Sequence, residues 1–253
     1  MIIHYIIIIL ILFLLIKKPK EIIINEKKNI VIVYYVYLNE NNNWKDIILS
    51  QLKDIKKSGI LDHNLNIEIE IVISANNNMP LINNCIKFVK KYFNKILFNN
   101  YNIETYNINH YEYPGINKLY MLSKKYPDGY FVYMHSKGMS YNKGFRTRDN
   151  KILTKNIIYP WNKIINILNN NNNINKVTLA CSSAGFGWFN FYWVKASHLL
   201  NVKPPIITSD RYYYESWVGH NGSNTYKDCY NIINPNQYYY SSLGAMTVLL
   251  DMK

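Results

Sequence analysis

The sequence predicts an α/β fold, a mixed, mainly parallel sheet with helices on both faces. Two observations carry that expectation. Runs rich in β-branched and aromatic residues alternate with segments whose apolar residues recur at helical spacing, the pattern of strand–helix–strand units. One such run, Tyr130-Phe131-Val132-Tyr133-Met134-His135-Ser136-Lys137-Gly138, is an apolar strand that ends in a His, a Lys and a Gly. Open α/β sheets place their ligand crevice at strand ends of this kind. A Gly there lets the backbone turn sharply, and a Lys and a His offer donors to an anionic group such as a diphosphate.

The elements can be justified in order. Asn29–Leu38 is β-branched and aromatic throughout, a buried first strand. Trp44, Ile47, Ile48, Leu52 and Ile55 repeat at helical spacing, with Asn43 as a cap and Ser58-Gly59 as the exit. Ile67–Ser74 is a second strand, in which Glu68 and Glu70 suggest one wetter face. Ile82, Cys85, Ile86, Val89 and Phe93 mark a second helix, and Asn102–Ile108 a third strand. Pro114 suits the first turn of a helix running to Tyr126, and Tyr130–His135 is the next strand. Ile152–Leu168 is helical with a break at Pro160. Lys176–Cys181 and Trp188–Trp193 read as extended, Ala196–Leu200 and Asp210–Val218 as short helices. Residues 29–253 are read as one domain, joined by a linker at 21–28 to a hydrophobic N-terminal segment.

That segment, Ile2–Ile16, is apolar except for His4 and Tyr5, and Lys17-Lys18-Pro19-Lys20 ends it. At helical rise it covers roughly 22 Å against a hydrocarbon core of roughly 30 Å. It lacks the basic start and small-residue exit of a cleaved leader, so the expectation is an uncleaved single-pass membrane anchor at residues 1–20. The lysines on its C-terminal side favour a cytoplasmic domain, while the sequon Asn221-Gly222-Ser223 leaves a lumenal placement open.

The formal charge of +13 comes from lysines scattered along an Asn-rich chain in which Arg is nearly absent. A nucleic-acid binder concentrates its basic residues in a stripe, so no nucleic-acid partner is expected. Cys85, Cys181 and Cys229 show no paired or metal-like spacing and are expected to be buried free thiols. The chain has no GxGxxG, P-loop or GxSxG, which argues against a dehydrogenase, an NTPase and a serine hydrolase.

Five segments, in order and spacing, resemble a family of GT-A-like glycosyltransferases found in bacteria, protists and large DNA viruses. Trp44 with Leu52 and Ser58-Gly59-Ile60-Leu61-Asp62 resembles the family's first helix and its exit. Tyr111-Glu112-Tyr113-Pro114-Gly115 resembles the turn before its third helix, and Tyr133-Met134-His135-Ser136-Lys137-Gly138 its HxKG strand end. Asn190-Phe191-Tyr192-Trp193-Val194-Lys195-Ala196 resembles its N-F-aromatic-W segment, and Arg211-Tyr212-Tyr213-Tyr214-Glu215-Ser216-Trp217 its R-Y-x-x-E-x-W helix. The resemblance implies a GT-A-like, Rossmann-like sheet and transfer of a sugar from a nucleotide-sugar donor to a glycan or protein acceptor.

Against that resemblance, His135, Lys137, Gly138, Arg146 and Arg148 are candidates for the donor diphosphate. Asn190, Trp193, Arg211, Trp217 and Glu112 are candidates for the acceptor, although Glu112 could equally cap its helix and the tryptophans could be core. Glu215 is the first candidate for the catalytic base, with Asp210 second because an N-cap carboxylate is engaged by backbone N–H groups. Many GT-A enzymes hold a divalent cation with an Asp-x-Asp pair. No such pair exists in this chain, so Mn²⁺ or Mg²⁺ is a possible cofactor without an assigned site, and Lys137 could neutralise the diphosphate instead. Two alternatives stand beside the enzyme: a non-catalytic sugar-nucleotide or glycan-binding relative, and a basic protein binding nucleic acid or an anionic surface.

Overall fold

The computed structural model describes residues 28–63, 65–136, 147–219 and 225–232. They form a seven-stranded sheet with the strand order β3-β2-β1-β4-β6-β5-β7. The strands are β1 (Asn29–Leu38), β2 (Asn66–Ala75), β3 (Tyr101–Tyr106), β4 (Tyr130–His135), β5 (Lys176–Thr178), β6 (Tyr192–Lys195) and β7 (Cys229–Asn231). β1 to β4 are parallel, β6 runs antiparallel to both β4 and β5, and β7 is parallel to β5. The helices are α1 (Trp44–Lys57), α2 (Met79–Lys95), α3 (Tyr113–Lys125), α4 (Thr147–Ile158), α5 (Trp161–Asn170), α6 (Ala196–Leu199) and α7 (Arg211–Ser216).

β1 sits at the centre because both of its faces are apolar. Its even positions, Ile30, Ile32, Tyr34 and Val36, pack with Ile48 and Leu52 of α1, Ile82 and Val89 of α2, Leu153 and Ile157 of α4 and Ile164 of α5. Its odd positions, Val31, Val33 and Tyr35, pack with Ile116 and Leu119 of α3, Leu199 of α6 and Tyr214 of α7. Covering both faces is what a parallel sheet requires, and it explains the near-continuous hydrophobic runs.

The glutamates of β2 differ from expectation. Glu68 and Glu70 are buried beneath α3, where Lys118 Nζ lies 3.2 Å from Glu70 and 3.1 Å from Glu104, and Tyr126 OH donates to Glu68 at 2.6 Å. β3 ends at Tyr106, opposite Ser74 of β2, two residues short of the expected Ile108. The segment at 188–190 is a 3₁₀ turn rather than strand.

Two expectations are corrected here. Cys181 and Cys229 are joined by a disulfide across a sequence separation of 48, while Cys85 stays a buried thiol that burial pushes up to about 12. The bridge ties the segment after β5 to the edge strand β7. Reduction is expected to lower the unfolding free energy by about 2 to 4 kcal/mol. Urea denaturation with and without dithiothreitol checks this, and coincident curves would contradict it.

The second correction concerns the membrane. Among the described residues no helix is long and apolar enough to cross a bilayer, so the transmembrane signal-anchor and the single-pass localisation expected above are not supported. The segment at 2–16 and the sequon at 221–223 lie outside the described residues. The physical difficulty was already in the lengths, since the apolar run is shorter than a hydrocarbon core.

Candidate functional site

The chain winds outward from β1 through β2 to β3, then returns through α3 to place β4 on the other side of β1. The carboxyl ends of β1 and β4 therefore flank the point where strand order reverses, the place open α/β sheets use for ligands. The two ends are locked together. Ser136 N–H donates to Tyr35 O at 2.9 Å, and Tyr37 N–H donates to Ser136 Oγ at 3.1 Å. From behind, Gln51 Nε2 donates to His135 O at 3.0 Å and to Thr154 Oγ1 at 3.1 Å, while its Oε1 accepts from Tyr34 OH at 2.7 Å.

His135, the last residue of β4, is set by its neighbours. Its Nε2 lies 2.9 Å from the Phe189 carbonyl. A carbonyl only accepts, so Nε2 carries a hydrogen and Nδ1 is the nitrogen turned to the other side. There it lies 3.9 Å from Glu112 Oε1. The ring also packs against Phe191, with centroids 5.0 Å apart.

Glu112 reaches this place because α3 starts very close to the sheet. Gly115 makes that approach possible: a Cβ there would lie 2.6 Å from Tyr35 Cβ and 2.9 Å from Tyr133 OH. Just before Glu112, Tyr111 adopts φ 50° and its carbonyl accepts from Tyr35 OH. Glu112 Oε2 accepts from Tyr133 OH at 3.2 Å and from Asn190 Nδ2 at 2.7 Å. The Glu112 side chain makes no capping bond to its own helix, so it serves the cleft rather than the helix end.

Asn190 completes the cluster from the third side. Phe189 and Asn190 have φ of 70° and 58°, so the chain turns through the left-handed region, which Asn tolerates better than most residues. The turn aims Nδ2 at Glu112 and, at 3.0 Å, at the carbonyl of Tyr214. Asn190 Oδ1 and the hydroxyl of Tyr192 are buried without a hydrogen-bond partner among the described residues. Burial, and then the charge of Glu112, hold the Tyr133 and Tyr192 phenols well above their ordinary range, so both stay protonated donors.

Three of the sequence candidates, His135, Glu112 and Asn190, are thus brought together. Trp193 and Trp217 are not. Trp193 is fully buried on the opposite face, with Nε1–H donating to Ile157 O at 2.7 Å. Trp217 is fully buried beneath α7, with Nε1–H donating to Lys203 O at 3.0 Å. A sugar platform needs an open ring face, and neither indole has one. Asp210 caps α7 as expected, accepting from Tyr212 N–H at 2.9 Å. Glu215 is half-buried on α7, and Arg211 is exposed with its guanidinium over the Tyr212 ring at 5.3 Å. Arg148 falls in the first turn of α4, and Lys137, Gly138 and Arg146 lie outside the described residues. The sequence reading missed Tyr133 and Tyr192, although Tyr133 stands two residues before His135 and so shares its face of the sheet.

Among the described residues no three His, Cys, Asp or Glu side chains come together to hold a metal ion. Glu112 and His135 are a pair, and Asn190 turns its N–H rather than its oxygen to the carboxylate. This set does not fit Mg²⁺ or Mn²⁺, which take an oxygen-rich, near-octahedral shell.

No protein-family model matches the chain, and no curated protein matches it. A solved structure described as a cytidylyltransferase from Leptospira borgpetersenii serovar Hardjo-bovis (strain JB197) is similar, with a TM-score of 0.47 and 11% sequence identity over 83% of this chain and 77% of that one. So distant a likeness carries no argument about activity. The strand order, the parallel core and the two helical layers make the chain a mixed α/β protein of Rossmann-like topology.

Proposed function

We propose that the protein is a glycosyltransferase that moves a sugar from a nucleotide-sugar donor to a glycan or protein acceptor. The observation that carries this reading is the polar cluster of Glu112, His135 and Asn190 at the carboxyl ends of β1 and β4. Three of the five non-glycine residues with positive φ among those described, Tyr111, Phe189 and Asn190, form its walls. Strained backbone of this kind persists where the surroundings over-determine it, and it gathers at sites that use it. The motif order of the GT-A-like resemblance supports the same assignment, because its HxKG, N-F-aromatic-W and turn segments supply the three walls. Lys137, with Arg146 and Arg148, is the set the sequence offers for the diphosphate, since Lys137 follows directly on the strand that ends at His135 and the two arginines come in the stretch after it.

A panel of nucleoside diphosphate sugars read by thermal shift tests the proposal. At least one should raise the melting temperature, because a ligand bound only to the native state stabilises it. In Lys137→Ala the dissociation constant for that donor should rise about tenfold or more, the equivalent of losing roughly 1.4 kcal/mol of charge-assisted bonding. A rise with duplex DNA and none with any sugar nucleotide would overturn the reading.

A further inference from the structure

Resting on the glycosyltransferase reading above, we infer that Glu112 is the base that takes the proton of the acceptor hydroxyl, and that His135 holds the oxygen of that hydroxyl. The two carboxylate oxygens of Glu112 are not equivalent. Oε2 is engaged by Tyr133 OH and Asn190 Nδ2, which fix the plane of the group. Oε1 faces His135 Nδ1 across 3.9 Å, too far for a direct hydrogen bond. The His135 ring is held in that orientation by the bond from Nε2 to the Phe189 carbonyl. An oxygen seated about 2.8 Å from each group spans this gap, and only a hydroxyl or water oxygen does so with bonds of ordinary length. The hydroxyl donates to Oε1, and the ring, when its Nδ1 also carries a hydrogen, donates Nδ1–H to the same oxygen. Both side chains are partly open, at 12% for His135 and 17% for Glu112, so the gap can be reached.

The step balances as follows. The hydroxyl oxygen attacks the anomeric carbon with a lone pair. The bond from that carbon to the diphosphate oxygen breaks, and its electron pair leaves with the nucleoside diphosphate. The hydroxyl proton passes to Glu112 Oε1, and afterwards to solvent.

The other carboxylates are placed less well. Asp210 is spent on the N–H of Tyr212. On α7 it is Tyr214 that faces the cluster, its carbonyl bonded to Asn190 and its ring 6.4 Å from that of Tyr111. Glu215 is turned about 100° away from it around the helix.

The experiment uses the donor identified by thermal shift and compares the unaltered protein with Glu112→Gln, Glu112→Ala and Glu215→Gln. Glu112→Gln should bind the donor within about threefold of the unaltered protein by calorimetry and cut transfer about 100-fold or more, the scale of general-base loss. With Glu112→Ala, azide should restore turnover and give the glycosyl azide, because azide has no proton to lose; a merely structural glutamate would not be rescued this way. Transfer within tenfold of normal in a folded Glu112→Gln protein overturns the assignment. So does loss of transfer in Glu215→Gln beside a normal rate in Glu112→Gln. If Glu112→Gln does not fold, Glu112→Asp keeps the carboxylate but withdraws it by one methylene. Retained donor affinity with transfer down tenfold or more is then expected, and an unchanged rate overturns the idea. Absence of both donor binding and transfer in the unaltered protein removes the glycosyltransferase reading itself, a failure distinct from an active enzyme that ignores Glu112.

Discussion

Asp228→Asn is expected to destabilise the fold by about 3 to 5 kcal/mol, the cost of stranding a buried charge. Lys176 is 1% exposed at the start of β5, and its Nζ lies 2.6 Å from Asp228 Oδ1. The other carboxylate oxygen accepts from Asn175 Nδ2 at 3.1 Å and lies 3.4 Å from His198 Nδ1. Burial raises the Asp228 carboxyl, but hydrogen bonds from His198, Lys176 and Asn175 and the charge of Lys176 lower it by more, so it lies below the ordinary carboxylate range. A depressed folded value means that the stability Asp228 contributes is fully present above the unfolded value near about 4 and is lost as pH falls through the folded one. The difference between the two proteins should therefore shrink in acid. Lys176 acts in the opposite sense. Burial pulls its ammonium below the ordinary lysine value against the pull of Asp228, so it costs stability while charged, and the cost eases as pH rises past its lowered value. Urea denaturation at pH 7 and pH 3 measures the effect. A loss under 1 kcal/mol at pH 7 would show that the pair is open to water. Adding Lys176→Met to Asp228→Asn should recover part of the loss, since an apolar side chain leaves no charge to strand.

What the sequence made legible follows from burial. β1, β2 and β4 are covered on both faces, so most of their positions hold an apolar or β-branched side chain and the strands stand out as runs, with Glu68 and Glu70 of β2 among the exceptions, paired beneath α3. Helices α1 and α2 show one apolar stripe each, at Trp44, Ile48, Leu52 and Ile55 and at Ile82, Cys85, Val89 and Phe93. β7 left no such mark. It has three residues, none fully buried, and it is held by pairing with Lys176–Thr178 and by the disulfide of Cys229, both non-local. Cysteines this far apart carry no spacing signal, which is why free thiols were the natural expectation.

The site was legible in part for a related reason. His135 could be placed from one strand and one turn, because a strand end is a local feature. The partnership of His135 with Glu112 and Asn190 could not, since it depends on α3 settling onto Tyr35 and Tyr133 where Gly115 has no side chain. The turn at Phe189 and Asn190 hid inside a run of aromatic residues that read as extended. The one local hint was Gly187, whose Cβ position would lie 2.5 Å from Thr178 Oγ1, followed closely by an Asn able to adopt left-handed backbone.

Trp193→Ala should cost about 3 to 5 kcal/mol of stability, whereas Trp193→Phe should cost less and leave donor and acceptor affinity unchanged. The indole is wholly buried in the layer formed by α4 and the even face of β1, and its Nε1–H satisfies the Ile157 carbonyl at 2.7 Å. Truncation to Ala removes a fully buried indole and leaves a cavity that rigid neighbouring strands cannot close, as Val132 and Val177 flank it in the sheet. Phe refills most of that volume and forfeits chiefly the hydrogen bond, worth about 1 kcal/mol plus the penalty of an unpaired carbonyl. The contrast separates two meanings of an aromatic residue in the N-F-aromatic-W segment. A sugar-stacking tryptophan would lose acceptor affinity on conversion to Phe while the melting temperature held. A core tryptophan shows the reverse, a lowered melting temperature with unchanged affinity. Asn190 lies three residues earlier in the same segment and faces the cluster, so Asn190→Ala should lower acceptor affinity as well as the melting temperature, since it also strands Glu112 and the Tyr214 carbonyl; loss of affinity is thus the readout that separates it from Trp193→Phe.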